Sequence, residues 1–314
     1  MKRKKLGLSG LEVSVLCFGT LTVSPLQKNF PPAQAAELFC YAREQGINFF
    51  DTAEIYDTYE PLGLALKRYP DLVIATKCYA VTAQEMQKSI ELARRRLDRD
   101  YIDIFCLHEV ENAATFKGHR GALEYLYKAK ASGIIKAVGI STHTVAGVRA
   151  GATEPGIDVI HPLINRAGIG IRGGTAADMV AALRTAKEFG KGIYAMKALA
   201  GGHLSGNATS AIAYVRNLQC VDSIAIGMQS VAEIQCNSLL VENQPVPPEL
   251  QQQVTGIERH LQIASWCKGC GLCVAQCNFG ALQLNNGKLV VDVERCLRCG
   301  YCARVCPDFC LKIV

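Results

Sequence analysis

Cysteines at short, regular spacings dominate the final part of the sequence. The stretch CLRCGYCARVCP, residues 296–307, holds four cysteines separated by two, two and three residues, with a proline after the fourth. A near copy, CKGCGLCVAQC, occupies residues 267–277. Because thiolates bind soft metals, this repeated spacing predicts a metal-binding segment.

The spacing also indicates which metal centre these cysteines hold. Structural zinc sites usually place two C-x2-C pairs on either side of a longer loop, and three close cysteines plus a distant fourth, present twice here, fit that pattern poorly. The run C-x2-C-x2-C-x3-C-P is typical of a [4Fe–4S] site whose fourth cysteine serves a second cluster. Residues 267–314 resemble a bacterial two-cluster ferredoxin, although Asn278 follows Cys277 where the second copy has proline.

The ferredoxin resemblance implies the ligands of two [4Fe–4S] clusters. One set is Cys267, Cys270, Cys273 and Cys306, and the other is Cys296, Cys299, Cys302 and Cys277. The two fourth ligands would cross between the halves and hold together a segment too short for a large core. Cys310 is not expected to be a ligand.

A second set of reactive side chains follows three successive apolar runs in the first half of the chain. The run INFFD is followed by TAEIY, which gives Asp51 and Tyr56, while ATK ends in Lys77 and CLH ends in His108. A carboxylate, a phenol, an ammonium and an imidazole at neighbouring strand ends could carry out acid–base chemistry. Each of the four, taken singly, is more often a structural residue than a catalytic one.

The pattern of apolar runs predicts the element that positions these four residues. Eight such runs alternate with amphipathic stretches over residues 1–240, at 13–19, 47–51, 72–77, 101–108, 135–141, 158–165, 192–198 and 223–228. Nearly continuous apolar runs are typical of parallel strands covered by helices. Eight β/α units in about 240 residues predict a (β/α)8 TIM barrel, whose active site forms at the C-terminal strand ends. A doubly wound sheet is the alternative.

The helical stretches and the region after the barrel complete the predicted domain organisation. In one stretch Thr82 and Glu85 predict a capping box, and Met86, Ile90, Ala93 and Leu97 share one face. Residues 241–256 are rich in Pro and Gln and predict a linker, followed by a short helix over 257–265. We therefore expect a barrel at 1–240, a linker with a short helix at 241–266 and an iron–sulfur domain at 267–314.

Over about residues 5–240 the sequence resembles the aldo-keto reductases. The segments that carry this resemblance are LGLSGLEVSVLCFGT, the D-T-A-x-x-Y run, GIIKAVGIST and AIGMQSVAEIQCN. The resemblance implies an NAD(P)-dependent oxidoreductase that interconverts carbonyls and alcohols, with Tyr56 as acid/base. A free tyrosine has a pKa of about 10, so Lys77 is expected to lower the pKa of Tyr56. Asp51 would keep Lys77 charged, and His108 would orient the carbonyl oxygen.

The same resemblance implies contacts to NADP or NAD at the barrel mouth. The candidate positions are Gly19, Thr20, Ser141, Asn165, Lys197, Leu199, Gly201, Gln229, Ser230, Glu233 and Asn237. Gln229 is uncharged at a position that is basic in many NADPH-preferring relatives, so the choice between NADH and NADPH stays open. GIGIRG at 168–173 matches the dinucleotide fingerprint G-x-G-x-x-G, but the following strand ends in Lys197 rather than an acid, which favours a loop at the barrel mouth.

The ferredoxin-like tail stands where aldo-keto reductases have a loop that closes over the substrate. We therefore expect the tail to pack near the barrel mouth, and substrate-specificity residues cannot be transferred. Nicotinamide transfers a hydride whereas a cluster accepts one electron, so a flavin would ordinarily mediate, although no motif supports a flavin site. The alternative function is an electron carrier or redox sensor in which the barrel is a nucleotide- or flavin-binding scaffold. A redox partner protein is a further candidate.

Composition limits the other function classes. The chain has 314 residues and a net charge of +6, with basic runs only at 2–5 and 94–99, which favours solvated faces over nucleic-acid binding. No apolar run is long enough for a membrane span, and the interrupted start is not typical of a signal peptide. Fifteen cysteines in a long chain without an export signal predict a reducing cytoplasm rather than disulfides. A small carbonyl or alcohol is the expected substrate.

Overall fold

A computed structural model describes residues 1–255 and 258–314 of the chain. It begins with an antiparallel hairpin of β1 (Arg3–Lys5) and β2 (Glu12–Ser14). Leu6, Leu11 and Val13 of this hairpin are buried together with side chains from the barrel interior. The hairpin therefore closes the end of the barrel at which the strands begin.

Eight parallel strands form a closed barrel. They are β3 (Leu16–Gly19), β4 (Phe49–Asp51), β5 (Val73–Cys78), β6 (Ile102–Leu107), β7 (Ile135–Thr142), β8 (Val159–Pro162), β9 (Gly192–Met196) and β10 (Ser223–Gly227), and β10 pairs with β3. Each strand coincides with one of the eight apolar runs, with β5 and β7 extending one residue past theirs. The predicted TIM barrel is therefore confirmed, and the doubly wound alternative is wrong. Nearly all of these strand residues are buried, as expected for strands that helices cover on the outside.

Helices surround the barrel and pack their apolar faces against it. They are α1 (Pro32–Glu44), α2 (Tyr59–Arg68), α3 (Ala83–Leu97), α4 (Ala113–Gly118), α5 (Arg120–Ala131), α6 (Val145–Thr153), α7 (Ala176–Glu188), α8 (Ala208–Arg216) and α9 (Val231–Val241). The capping box of α3 is present, because Thr82 accepts from the Glu85 amide and Glu85 accepts from the Thr82 amide. None of the helices in the described part of the chain is long and apolar enough to cross a membrane.

The region after the barrel differs from the prediction in two places. A helix, α10 (Pro248–Thr255), lies inside the predicted linker, begins at a proline and packs against α9. The prediction of a helix over 257–265 is wrong, because Leu261–Ile263 forms a strand, β11. Residue 257 of that stretch lies outside the described residues. Pairing of β11 with β14 (Leu311–Ile313) overrides the weak local helical pattern.

The cysteine-rich segment folds between β11 and β14. It holds two four-residue helices, α11 (Leu272–Ala275) and α12 (Tyr301–Arg304), and a hairpin of β12 (Leu282–Asn285) and β13 (Lys288–Val291). Its small core includes Leu261, Leu282 and Leu311, and it continues into Leu163 and Ala200 of the barrel. The segment therefore packs directly on the barrel.

Candidate active site and cysteine cavities

Lys77 is the buried centre of the predicted tetrad. Its ammonium donates to both carboxylate oxygens of Asp51, at 2.9 and 2.8 Å, and to the carbonyl oxygen of Thr52 at 2.7 Å. Burial alone would lower the pKa of Lys77, but the charges of Asp51 and Tyr56 outweigh it and the pKa is raised. Lys77 therefore stays charged. The two side chains meet because β4 and β5 are adjacent strands and both end at this point.

Tyr56 lies beside this ammonium. It ends a short 3₁₀ turn after β4, and the Lys77 nitrogen lies 4.9 Å from the centroid of its ring. Burial raises the pKa of Tyr56, and the nearby Lys77 charge opposes that effect without reversing it. Lys77 therefore acts on the Tyr56 pKa in the expected direction, but desolvation of the phenolate is the larger effect and the pKa lies above its ordinary value.

His108 faces Tyr56 from the end of β6. The two rings meet edge to face with centroids 6.2 Å apart, and Tyr79 stacks on the other side of His108 at 4.3 Å. Burial lowers the pKa of His108 well below its ordinary value, and the Lys77 charge lowers it further. The imidazole is thus neutral, and its buried Nδ1 has no hydrogen-bond partner among the described residues.

Two residues outside the predicted tetrad also contact Asp51. The Tyr194 hydroxyl donates to a carboxylate oxygen of Asp51 at 3.1 Å, and His161 Nε2 lies 3.6 Å from the same oxygen. The His161 and Tyr194 rings stack 3.9 Å apart, and burial lowers the pKa of His161 to about 4. The only sequence signal for these two residues was a histidine, His161, inside an apolar run. The run does not indicate whether the His161 side chain points into the barrel.

A cavity of about 510 Å³ opens at the C-terminal ends of the strands and includes Asp51 and Tyr56 in its lining. Seven of the positions predicted to contact a dinucleotide also line it: Gly19, Lys197, Leu199, Gly201, Gln229, Glu233 and Asn237. Cavities that bind cofactors and drug-sized ligands commonly measure about 300–1,000 Å³. The size and the lining therefore suit a nucleotide.

The other four predicted cofactor positions do not line this cavity and have internal hydrogen bonds. Thr20 bonds the Thr58 hydroxyl, and Ser141 accepts from the Glu109 amide. The Asn165 side chain bonds backbone groups of its own loop, and Ser230 accepts from the Glu233 amide at the start of α9. These four residues shape the loops around the cavity.

The cysteine-rich segment and the residues before it provide one wall of the cavity. Arg259, Leu297, Arg298, Phe309, Lys312, Ile313 and Val314 all line it. His203 of the barrel also lines the cavity, and its Nε2 donates to the Leu311 carbonyl oxygen at 3.1 Å. The expectation that the tail packs near the barrel mouth is confirmed. The GIGIRG loop takes part in this packing, because Gly170 lies against the Phe309 ring.

An ion pair crosses the same wall beside α9. Arg259 donates to one carboxylate oxygen of Glu233 at 2.7 Å, while the other oxygen of Glu233 accepts from the Gln229 amide at 2.7 Å. Arg298 in turn donates to the Arg259 carbonyl oxygen at 2.8 Å. Two arginines from outside the barrel thus stand next to predicted cofactor positions, which the sequence alone did not indicate.

The cysteines line two further cavities in the sets that the sequence implies. Cys267, Cys270, Cys273 and Cys306 line the first cavity, and Cys277, Cys296, Cys299 and Cys302 line the second. Across the described residues, no three His, Cys, Asp or Glu side chains converge closely enough to hold a single metal ion. Cys310 lies beside the first set and its amide donates to Cys306 Sγ at 3.2 Å.

Curated relatives share the barrel region at modest identity. The chain is 26% identical to L-galactose dehydrogenase of Arabidopsis thaliana, and the match covers 85% of this chain and 97% of that protein. A probable voltage-gated potassium channel subunit beta from the same plant is 30% identical over 40% of this chain and 43% of its own length.

Solved structures share the same fold. A putative aldo-keto reductase from Pseudomonas aeruginosa superposes with a TM-score of 0.66 at 24% identity, over 77% of this chain and 94% of that one. The holo form of an aldo-keto reductase from Bacillus halodurans gives 0.64 at 22% identity, over 82% and 96%. At these identities the likeness supports the fold alone.

Family models divide the chain where the structure does. Residues 260–307 match a 4Fe-4S dicluster domain, which agrees with the cysteine spacing. Residues 15–257 match the model of the aldo/keto reductase family, which covers the barrel and α10. With most of its length in that match and a closed eight-stranded parallel barrel, the chain belongs to the aldo/keto reductase family.

Proposed function

We propose that the barrel catalyses NAD(P)-dependent interconversion of a small carbonyl and its alcohol, with Tyr56 as the acid/base. The observation that carries this proposal is the Lys77 ammonium, which Asp51 holds 4.9 Å from the ring of Tyr56. Asp51 and Tyr56 in turn line a cavity of nucleotide size. Nicotinamide supplies a hydride to the carbonyl carbon when bound. Tyr56 gives its hydroxyl proton to the carbonyl oxygen, so the alcohol forms and a phenolate remains.

Lys77 and His108 assist this proton transfer in different ways. The Lys77 ammonium stabilises the phenolate that Tyr56 becomes, which partly offsets the cost of forming a buried anion. His108 is neutral and can donate a hydrogen bond to the carbonyl oxygen without competing as an acid. Its unpartnered ring nitrogen in a buried position supports a role toward a bound ligand.

The residues of the mouth suit a dinucleotide. Gly201 and Gly202 line the cavity with positive φ values of 65° and 92°, and the lack of a side chain lets a ligand approach their backbone closely. Gln229 just before α9, Glu233 in its first turn and Asn237 in its middle also line the cavity. We propose that these residues, with Gly19, Lys197 and Leu199, hold NADP or NAD.

We propose further that the two cysteine sets hold two [4Fe–4S] clusters used in electron transfer. The donor chemistry supports this, because eight thiols in two sets of four are what such clusters require. The crossing of Cys306 and Cys277 between the halves follows the pattern of two-cluster ferredoxins.

A Tyr56→Phe variant tests the reductase. We expect carbonyl reduction, measured as NAD(P)H oxidation with a panel of aldehydes and ketones, to fall about 10²–10⁴-fold because proton transfer is lost. The dissociation constant for NADPH should be unchanged. Tyr125→Phe on the outer helix α5 is the matched control. Equal turnover in the Tyr56 and Tyr125 variants would disprove the proposed role.

The shared wall favours a second candidate, an electron carrier or redox sensor whose barrel binds a nucleotide or flavin. His203, Leu297 and Arg298 line both the large cavity and the cavity of the second cysteine set, so a single layer of side chains separates the two. Anaerobic titration of cluster-loaded protein with NADH and NADPH distinguishes the candidates. Bleaching of the clusters without carbonyl turnover would support the carrier, whereas turnover unaffected by Cys→Ala changes would support the reductase alone.

A further inference from the structure

Two amines from different parts of the chain meet at the large cavity. Lys197 follows β9 of the barrel, and Lys312 lies in β14 of the cysteine-rich segment, and both line the cavity that contains Tyr56. β14 packs tightly on the loop after β9, where a side chain at Gly201 would touch Phe309 and would lie 3.6 Å from Lys312 Cγ. The two cations are therefore neighbours across the boundary between the two domains.

Lys197 is held in a fixed and unusual conformation. Its backbone has a φ of 60°, a left-handed value that a non-glycine residue rarely adopts, and its ammonium donates to His143 Nε2 at 2.9 Å. The nitrogen also lies 3.9 Å from the centre of the Phe309 ring. Such strain persists where the surrounding structure requires it, frequently at ligand sites.

Lys312 is buried, with 6% of its surface exposed, yet its ammonium makes no hydrogen bond to any described residue. Its nearest aromatic neighbour is Trp266, whose ring centre lies 4.3 Å from the nitrogen. Among the described residues, no carboxylate oxygen lies within 4 Å of either amine. Glu109 raises the pKa of both amines from farther away, and Cys310 also raises the pKa of Lys312. Lys312 is thus a buried cation beside the partly buried Lys197, and an anionic ligand would offset the cost of burying that charge.

The ionisation of the amines agrees with this arrangement. Burial lowers the pKa of Lys197 well below its usual range, and the charge of Lys312 lowers it further. Burial lowers the pKa of Lys312 to about 8. A bound anion would relieve both effects.

We propose that Lys197 and Lys312 together form a binding site for an anionic oxygen group, either a phosphate of the dinucleotide or a carboxylate on the carbonyl substrate. The site is complete only when the cysteine-rich segment packs on the barrel. It rests on the proposed function only in that a ligand of the oxidoreductase would carry the anion.

Equilibrium binding to the full-length, cluster-loaded protein tests this site. Calorimetric titrations would use inorganic pyrophosphate, NADPH, and, in the presence of NADP+, pyruvate with its uncharged methyl ester as comparison. Lys312→Gln and Lys197→Gln should each weaken anion binding by about 10-fold or more, as expected for a charged hydrogen bond, and Lys312→Arg should restore most of it. Lys288→Gln removes the same charge from an exposed position of the same domain and is the control. Iron content confirms that each variant is folded and loaded.

The outcomes separate the two sources of the anion. Weaker NADPH and pyrophosphate binding with unchanged pyruvate binding identifies a phosphate, and the converse identifies a substrate carboxylate. If the wild-type protein binds none of these anions, or if Lys312→Gln behaves like Lys288→Gln with all of them, the proposal is wrong. Because these are equilibrium measurements, a failure of the reductase assay with Tyr56 variants would leave this result interpretable.

Discussion

The chemistry proposed for the barrel depends on one buried ion pair, Lys77 with Asp51. Both side chains are almost fully buried, so the charge of each is tolerated mainly because of the other. Tyr194 and His161 add polar contacts to the same carboxylate. The pair therefore has two roles: it keeps an ammonium beside Tyr56, and it stabilises the fold.

Asp51→Asn should impair both roles. We expect carbonyl turnover to fall at least 10²-fold and the free energy of unfolding to fall by about 3–5 kcal/mol, because Lys77 would lose its buried counter-charge. Turnover assays and denaturant unfolding measure the two effects. Asp71→Asn, which removes an exposed ion pair with Arg43, is the control and should cost about 1 kcal/mol or less. Similar losses in both variants would contradict the argument.

His161 should make the protein less stable in weak acid. Its pKa is lowered to about 4 in the fold and is about 6.5 in the unfolded chain, so between these values the unfolded state binds more protons. Stability should therefore fall as pH drops through that window, by about 2 kcal/mol from pH 7.5 to 5 for this residue. His161→Leu should show a flatter pH dependence of unfolding. An unchanged slope would mean that other groups cause the acid sensitivity.

The sequence predicted which residues form the site better than it predicted their burial and the direction of their pKa shifts. Asp51, Tyr56, Lys77 and His108 lie at three neighbouring strand ends because parallel strands in a barrel all end on one face. The direction of the Tyr56 pKa shift was missed, since burial cannot be measured from spacing. His161 and Tyr194 were missed because each lies in a largely apolar run, DVIHPLIN or GIYAMKA, that does not show which side chains point inward.

The loop after β9 and strand β14 are the elements through which the cysteine-rich segment packs on the barrel. Pairing of β14 with β11 joins the two ends of the cysteine-rich segment and lays them against the loop. Local patterns predicted the barrel strands well, since long apolar runs are strong signals. They failed for residues 257–265, where a three-residue strand is held by a partner about fifty positions away.

Gly202→Ala should displace β14 from the barrel. Gly202 has a φ of 92°, and a Cβ there would collide with the Ile313 carbonyl oxygen. We expect weaker NADPH binding in calorimetry, because the wall of the cavity moves. Iron content should be retained, because both sets of cysteine ligands stay intact. Gly118→Ala is the control: it lies in α4 outside the cavity lining, no atom lies within 4 Å of the added carbon, and it should bind NADPH normally. If the two variants behave alike, β14 does not limit the cavity.

In the proposed ligand sets, each half of the cysteine-rich segment supplies one ligand to the cluster of the other half, so the two clusters depend on both halves. Cys273→Ala and Cys306→Ala belong to one proposed set, so each variant should lose one cluster, and iron should fall from about eight to about four atoms per chain. The double variant should lose no more than either single change, because both remove the same cluster. Cys302→Ala with Cys306→Ala should instead lose both clusters. Iron analysis and electron paramagnetic resonance measure these outcomes, and additive loss in the first pair would show that the sets are wrong.

The wall that the cysteine-rich segment gives to the large cavity has a consequence for the living cell. A segment this short has little core of its own, and the free energy of metal binding would supply much of its folding free energy. Chains made under iron shortage, or damaged by oxygen, would then keep an intact barrel but an incomplete nucleotide site. Supply of iron would set the fraction of active molecules, even if no electron ever passed between the clusters and the substrate.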